Sequence, residues 1–136
     1  MSAITRIELR IVTGNREDAG TDGNVLLGLA GREFNVDSSG VNDFERGSDR
    51  TYIFGEGSNV LRPAQNDPRS PWQLDTDDIG RCPRYIRFEL GSGGDWNIEL
   101  LELVVPAPSG EVNIRRLAGG NNLWLGAGQG KFIWFS

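Results

Sequence analysis

Apolar and polar residues alternate with a period of two along most of the chain. Ile7, Leu9 and Ile11 alternate with charged residues near the start, and residues 86–90 repeat the pattern later. This period is that of a half-buried β-strand, whose successive side chains point to opposite faces of a sheet. No segment carries a convincing helical period with caps. The pattern predicts an all-β chain of about eight or nine strands.

Turn residues separate these segments at short, regular distances. The 19 glycines and six prolines lie at spacings typical of a β-sandwich. The alternation slips by one position at Leu100 and Leu101, which predicts a β-bulge or a change of facing there. Residues 59–84 form the longest irregular stretch, which we expect to be a functional loop or to contain a short turn of helix. A length of 136 residues suits one domain, and we expect a single domain over residues 1–136.

The composition excludes several kinds of catalytic site. The chain has no histidine, which excludes Ser-His-Asp and Cys-His catalysis and a histidine-ligated zinc site. Its single cysteine, Cys82, excludes an intrachain disulfide and a zinc site built from four cysteines. No glycine-rich segment has the spacing of a nucleotide-binding loop, and no carboxylate pair stands out. We therefore expect no catalytic residues, no enzymatic activity and no small-molecule substrate.

The charge balance restricts the choice of partner. Nineteen acidic residues against 14 basic ones give a net charge of −5. Nucleic-acid binding needs a basic face, so we expect no nucleic-acid partner. Neither a signal peptide nor an apolar stretch of about 18 residues is visible. The sequence leaves three compartments open: the cytoplasm, the surface of a membrane and an external site.

Acidic and amide side chains concentrate in three of the loops between predicted strands. In chain order they are Asp18, Asp22, Asn24, Asp37, Asn42, Asp43 and Asp95. Carboxylate, amide and carbonyl oxygens are the ligands of Ca²⁺, which takes about 6–8 of them. The spacing does not fit an EF-hand, so a site would be assembled from separate loops at one end of a sandwich. The same residue types are ordinary in β-turns, so composition alone leaves a purely structural role open.

Three blocks of the sequence resemble a known family. Residues 13–25 contain Thr-Gly-Asn followed by Ala-Gly-Thr-Asp, residues 42–52 contain Phe-Glu-Arg-Gly-Ser, and Asp95-Trp96 opens a later strand. In this order they resemble the signature of the PLAT (LH2) domain family. Residues 123–135 are also similar to the closing strands of the lipid-binding domain in clostridial calcium-dependent phospholipases C. The resemblance covers nearly the whole chain and is weakest over residues 60–84.

The resemblance implies a fold, a role and a set of ligands. The fold would be a two-sheet, antiparallel, eight-stranded β-sandwich of the PLAT/C2-like type, which binds membranes or protein partners and is not catalytic. Carried over position by position, the ligands of one calcium ion would be Asp18, the carbonyl of Gly20, Asp95 and the carbonyl of Trp96. Those of a second ion would be Thr21, Asp22, Asn42 and Asp43. Asp37 and Gly40 are possible ligands of a third ion, in a loop one residue longer than in the family.

The leading hypothesis is a calcium-binding interaction module that targets a membrane surface or a protein partner. Two bound Ca²⁺ ions would turn the acidic rim of a chain with a net charge of −5 into one that attracts anionic lipid. The alternatives are a protein-docking sandwich in which calcium only orders the loops, and a carbohydrate-binding module. Trp72 is the candidate interfacial aromatic residue, unless it pins the long loop to the core. The oligomeric state is not predicted.

Overall fold

The chain folds into two antiparallel β-sheets packed as a sandwich. The computed structural model describes residues 2–38, 42–89, 94–110, 112–119, 123–128 and 130–134. Over those residues, the predicted all-β, two-sheet antiparallel sandwich is confirmed, with nine strands where the family resemblance implied eight.

The strands divide into a sheet of five and a sheet of four. In chain order the elements are β1 (Arg6–Thr13), β2 (Asn24–Leu29), β3 (Arg32–Asn35), β4 (Asp49–Gly55), α1 (Asp77–Arg81), β5 (Tyr85–Glu89), β6 (Trp96–Pro106), β7 (Val112–Ala118), β8 (Trp124–Leu125) and β9 (Phe132–Trp134). One sheet has the order β4-β1-β6-β7, with β8 pairing β6, and the other has the order β3-β2-β5-β9. The chain crosses between the sheets repeatedly, so loops from both sheets collect at each end.

Alternation along each strand builds the core between the two sheets. In β1, Ile7, Leu9 and Ile11 are buried, while the charged residues between them are half-exposed. Large aromatic side chains, among them Phe54 and Phe88, fill the centre of the sandwich. Burying one such side chain stabilises the fold by about 1.5–3 kcal/mol, so the period-two pattern is enough to direct each strand's facing.

The predicted phase slip in β6 is a β-bulge. Val12 of β1 pairs with Leu100, but the next residue, Thr13, pairs with Ile98, so Glu99 is the extra residue on β6. The bulge lets both Ile98 and Leu101 belong to the core although they are three positions apart. This prediction is confirmed, and the bulge sits close to the end of the sandwich where the acidic loops lie.

Residues 59–84 are ordered by contacts with both sheets. They contain the short helix α1, as predicted, and its Ile79 is buried in the core. Ile4, just before β1, donates its backbone N–H to the carbonyl of Leu74 at 2.8 Å. In the part of the chain that the structure describes, no helix is long and apolar enough to cross a membrane.

Two asparagine side chains from the same stretch bond the outer edges of strands. Asn59 accepts a hydrogen bond from the N–H of Ile53 and donates one to the carbonyl of Thr51, both at 2.8 Å. Asn66 accepts one from the N–H of Asn35 at 2.7 Å. These amides occupy backbone groups that an edge strand would otherwise leave open to a neighbouring chain.

Candidate metal-binding loops

Three loops meet at the end of the sandwich that follows β1. Thr21, in the β1–β2 loop, donates its backbone N–H to the carbonyl of Phe44 at 3.0 Å and its hydroxyl to the carbonyl of Gly94 at 3.2 Å. Asn97, at the start of β6, donates its N–H to the carbonyl of Ala19 at 2.9 Å. The first loop therefore contacts both of the others, and the acidic residues singled out in the sequence gather around it.

A hollow of about 230 Å³ lies between the first and second loops. It is lined by Thr21, Asp22, Gly23, Asn24, Val36, Asp37, Asn42, Asp43 and Phe44. All four residues assigned to a second ion line it, together with Asp37 from the proposed third site. We refer to it as the Asp37 hollow. Gly40, the other residue assigned to the third site, lies outside the described residues.

Hydrogen bonds fix the orientation of Asp43 in this hollow. Its carboxylate accepts the N–H of Ser38 at 3.0 Å, the hydroxyl of Ser38 at 2.5 Å and the phenolic hydroxyl of Tyr52 at 2.8 Å. Burial raises the pKa of Tyr52, and the bond to Asp43 raises it further, so the phenol stays a donor at neutral pH. The carboxylate is therefore held by three donors that the sequence did not single out.

Asp37 lies beside Asp43 and is hard to ionise. Burial raises the pKa of Asp37, and the hydrogen bond with Asp43 and the negative charge of Asp43 raise it further, while the positive charge of Arg62 opposes them. Two carboxyl groups this close repel each other when both are charged. A cation between them would remove that repulsion and favour the ionised form of Asp37.

A second hollow, also of about 230 Å³, adjoins the β1–β2 loop. It is lined by Asp18, Ala19, Gly20, Thr21, Asp22, Glu45 and Arg46. A Cβ atom on Gly20 would lie 2.9 Å from the backbone nitrogen of Arg46 and 3.0 Å from the carbonyl oxygen of Phe44, so only glycine allows this close approach. We refer to it as the Asp18 hollow.

The ligand set assigned to the first ion is divided between two places. Asp18 and Gly20 line the Asp18 hollow, but Asp95 and Trp96 line neither hollow. A Cβ atom on Gly126 would lie 1.9 Å from Oδ1 of Asp95, so this carboxylate packs against the turn after β8. The side chain of Trp96 is fully buried and donates its indole N–H to the hydroxyl of Thr13 at 3.0 Å.

The donor set suits a hard cation, although the carboxylates are not gathered as a compact centre. Within the described ranges, no three side chains among Asp, Glu, Cys and His come together as a ready metal site. The Asp37 hollow instead combines three carboxylates with two amides and a hydroxyl, each of which has an oxygen atom that can bind a metal ion. Ca²⁺ accepts mixed oxygen ligands in flexible geometry, and water completes its shell. The residues present therefore fit Ca²⁺ better than a metal that prefers nitrogen or sulfur ligands.

No protein-family model and no curated protein sequence matches this chain. Solved structures do match it. Alpha toxin from Clostridium absonum superposes with a TM-score of 0.67 at 19% identity, covering 99% of this chain and 32% of that one. Alpha-toxin from an avian strain of Clostridium perfringens gives 0.65 at 22% identity, covering 98% and 32%. The matched regions are PLAT-like domains. The chain has the fold of a PLAT domain.

A coral 8R-lipoxygenase matches with a TM-score of 0.60 at 18% identity. That enzyme is described as activated by calcium via a C2-like domain. The match covers 96% of this chain and 16% of the lipoxygenase. The PLAT-fold chain thus spans about a third of the toxins and about a sixth of the lipoxygenase. At these identities the likeness is one of fold.

Trp72 lies at the opposite end of the PLAT sandwich from the two hollows. Its side chain is 79% exposed, so the alternative that it pins the long loop to the core is wrong. The next residue, Gln73, donates from its amide to the carbonyl of Ile4 at 2.8 Å. Ile4 precedes β1, whereas the acidic loops follow it, and eight strand residues span about 25 Å. Trp72 and the two hollows are therefore separated by about the length of β1.

Proposed function

We propose that this chain is a non-catalytic module that binds Ca²⁺ in the loops at one end of the sandwich and then docks onto an anionic membrane surface. The observation that carries the proposal is the Asp37 hollow, which joins two loops and is lined by Asp22, Asp37 and Asp43. These carboxylates come from different parts of the chain, so a cation bound among them would connect the loops. The description of the coral lipoxygenase with calcium activation via a C2-like domain supports the same role.

The electrostatics of the hollow favour a divalent cation. Asp37 and Asp43 repel each other when both are ionised, and burial adds to the cost for Asp37. A cation offsets that cost only if it binds the charged form of Asp37, so binding releases any proton that Asp37 holds. The loops would then be more stable with the metal than without it.

The charge of the whole chain explains why the metal would control docking. With a net charge of −5, the metal-free chain is repelled by anionic lipid. Two Ca²⁺ ions would cancel most of that charge, and both would lie at the end of the sandwich that carries the hollows. Arg46, which lines the Asp18 hollow, would add a further cation beside them.

Sedimentation with lipid vesicles tests the proposal. The chain is mixed with vesicles of phosphatidylserine and phosphatidylcholine, or of phosphatidylcholine alone, with Ca²⁺, Mg²⁺ or a chelator. We expect sedimentation only with the anionic vesicles and Ca²⁺, and we expect Asp22→Asn and Asp43→Asn to abolish it. Asp78→Asn, which removes the same charge from α1, is the matched control and should sediment like the parent.

Two results would contradict membrane docking. Sedimentation that persists in chelator would mean that calcium does not control binding. A calcium-induced rise in the melting temperature without any sedimentation would mean that the metal only orders the loops of a protein-docking sandwich.

A further inference from the structure

The outer edge of β7 is open to another strand. β7 is the last strand in the order of its sheet, and β6 is the only strand that pairs with it in the described part of the chain. The edges of β4 and β3 are bonded by the amides of Asn59 and Asn66. Within the described residues, no further strand lies beside this seven-residue edge, and such an edge is a template for pairing with another chain.

Two apolar side chains on this edge face solvent. Val112 is 52% exposed and Ile114 is 60% exposed. They lie on the outer face of the sheet, because the alternate residue Arg115 pairs with Leu103, which faces the core. An added strand would cover both side chains with its own alternate residues.

The charge on β7 is opposite to that of the chain. Residues 112–118 include Arg115 and Arg116 and no acidic residue, in a chain with a net charge of −5. Glu102 is the only described carboxylate paired with Arg116, and the distance of 3.9 Å makes a weak, exposed pair. The Nε of Arg115 is buried and has no hydrogen-bond partner among the described residues. A buried donor without an acceptor is costly, and an incoming carboxylate would satisfy it.

A third hollow, of about 360 Å³, adjoins the end of β7. It is lined by Arg10, Val12, Asp49, Glu99, Leu100, Arg116 and Ala118. Its lining combines the apolar residues Val12, Leu100 and Ala118 with the cation of Arg116. A side chain of an added strand therefore has space next to a cation on the outer face.

We propose that β7 docks an extended, acidic segment of a partner protein, which joins the five-stranded sheet as a further strand. Backbone hydrogen bonds would hold such a segment, and its alternate side chains would supply the selectivity. Its apolar residues would cover Val112 and Ile114, and its carboxylates would pair with Arg115 and Arg116. A second copy of this chain fits poorly, because an antiparallel β7–β7 pair would bring four arginines into one short ladder.

A designed peptide tests this inference in chelator, which keeps it separate from the calcium-dependent function. The probe is acetyl-Thr-Thr-Glu-Glu-Val-Thr-Val-amide, written to pair antiparallel with residues 118 back to 112. It is titrated into isotope-labelled protein while the backbone amide signals are followed. We expect the shifts to be concentrated in residues 112–118, and we expect the peptide with glutamine in place of glutamate to bind at least tenfold more weakly.

Variants of the protein separate charge from fold. Arg115→Glu and Arg116→Glu should each weaken the peptide at least fivefold, whereas Arg81→Glu, the same charge change on α1, should leave its affinity unchanged. Ile114→Thr should weaken it without altering the circular dichroism spectrum, which checks that the edge still folds.

Three outcomes would overturn the inference. The first is the absence of shifts at millimolar peptide, and the second is a set of shifts centred away from β7. The third is a dimer in sedimentation velocity that Arg116→Glu or Ile114→Thr dissociates, because it would identify a second copy as the occupant.

Discussion

Tyr52 donates a hydrogen bond of 2.8 Å from the core to Oδ1 of Asp43 in the Asp37 hollow. Its ring is buried between the sheets and stacks at a tilt against Phe44, with ring centroids 5.8 Å apart. The position of Asp43 therefore depends on the packing of the sandwich. A substitution that moves Tyr52 in the core would therefore also change the position of the Asp43 carboxylate.

Replacing Tyr52 with phenylalanine should clearly lower the affinity for calcium and only slightly lower the free energy of unfolding. The substitution keeps the ring but removes one of the three donors that orient Asp43. We expect a loss of about 1 kcal/mol of stability and a clear fall in calcium affinity, measured by calorimetry. Tyr85→Phe is the matched control, since the Tyr85 hydroxyl bonds Glu33 instead. Equal losses for both variants would contradict a role for the bond.

Replacing Asp37 with asparagine should stabilise the metal-free chain near neutral pH. The pKa of Asp37 is raised in the folded state, so the folded state binds the proton more tightly than the unfolded state does. Stability is therefore lost as the pH rises from the ordinary carboxyl range through the raised pKa, and the variant should escape that loss. In chelator we expect a higher melting temperature than the parent at pH 7 and no gain near pH 3. A lower melting temperature at pH 7 would contradict the prediction.

Calcium should raise the melting temperature of the parent. At about 100 times the Kd, a ligand that binds only the folded state adds about 2.7 kcal/mol, which shifts the melting temperature of a chain of this size by roughly 6–12 °C. Mg²⁺ should do less, because it resists the irregular coordination of mixed loop ligands. The measurement is a thermal scan in chelator, Ca²⁺ or Mg²⁺. An unchanged temperature in millimolar Ca²⁺ would exclude a site in these loops.

Replacing Gly20 with alanine should loosen the contact between the first two loops. The added methyl group would lie 2.9 Å from the backbone nitrogen of Arg46, and backbone cannot yield as a flexible side chain can. We expect a loss of about 1–3 kcal/mol in denaturant unfolding, with weaker calcium binding. Gly128→Ala is the control, since apart from its chain neighbours no described residue has an atom within 4 Å of the added carbon there. A variant as stable as this control would show that the contact tolerates the methyl group.

Replacing Trp72 with alanine should leave calcium-dependent sedimentation with vesicles unchanged. This side chain projects from the end of the sandwich opposite the two hollows, so a membrane held at the hollows does not reach it. The measurement is the bound fraction at a fixed lipid concentration, compared with the parent. A marked loss of binding would mean that the membrane approaches from the other end.

The strands could be predicted from the sequence because burial imposes a period of two. Even the bulge at Glu99 is visible in the sequence, as a shift in the alternation of apolar and polar residues. Composition already predicted a site built from separate loops at one end of the sandwich, and the family resemblance added which residues would share an ion. The orientation of Asp95 could not be predicted, because it depends on the turn at Gly126, which is distant in sequence. The hydrogen bond from Tyr52 to Asp43 could not be predicted either, because it also depends on the packing of the folded chain. The alternation in β4 predicts that Tyr52 faces inward, but it does not predict the hydrogen-bond partner of its hydroxyl.

The amides of Asn59 and Asn66 were also hidden, because asparagine in a loop normally indicates only a turn. Their positions matter for how the molecule can associate. Among the described residues, Asn59 bonds two backbone groups on the outer side of β4, which leaves the edge at β7 as the more open side of the five-stranded sheet. A sheet that grows on one side only cannot propagate. By bonding the edge of β4, the long loop therefore disfavours open-ended strand addition through this sheet.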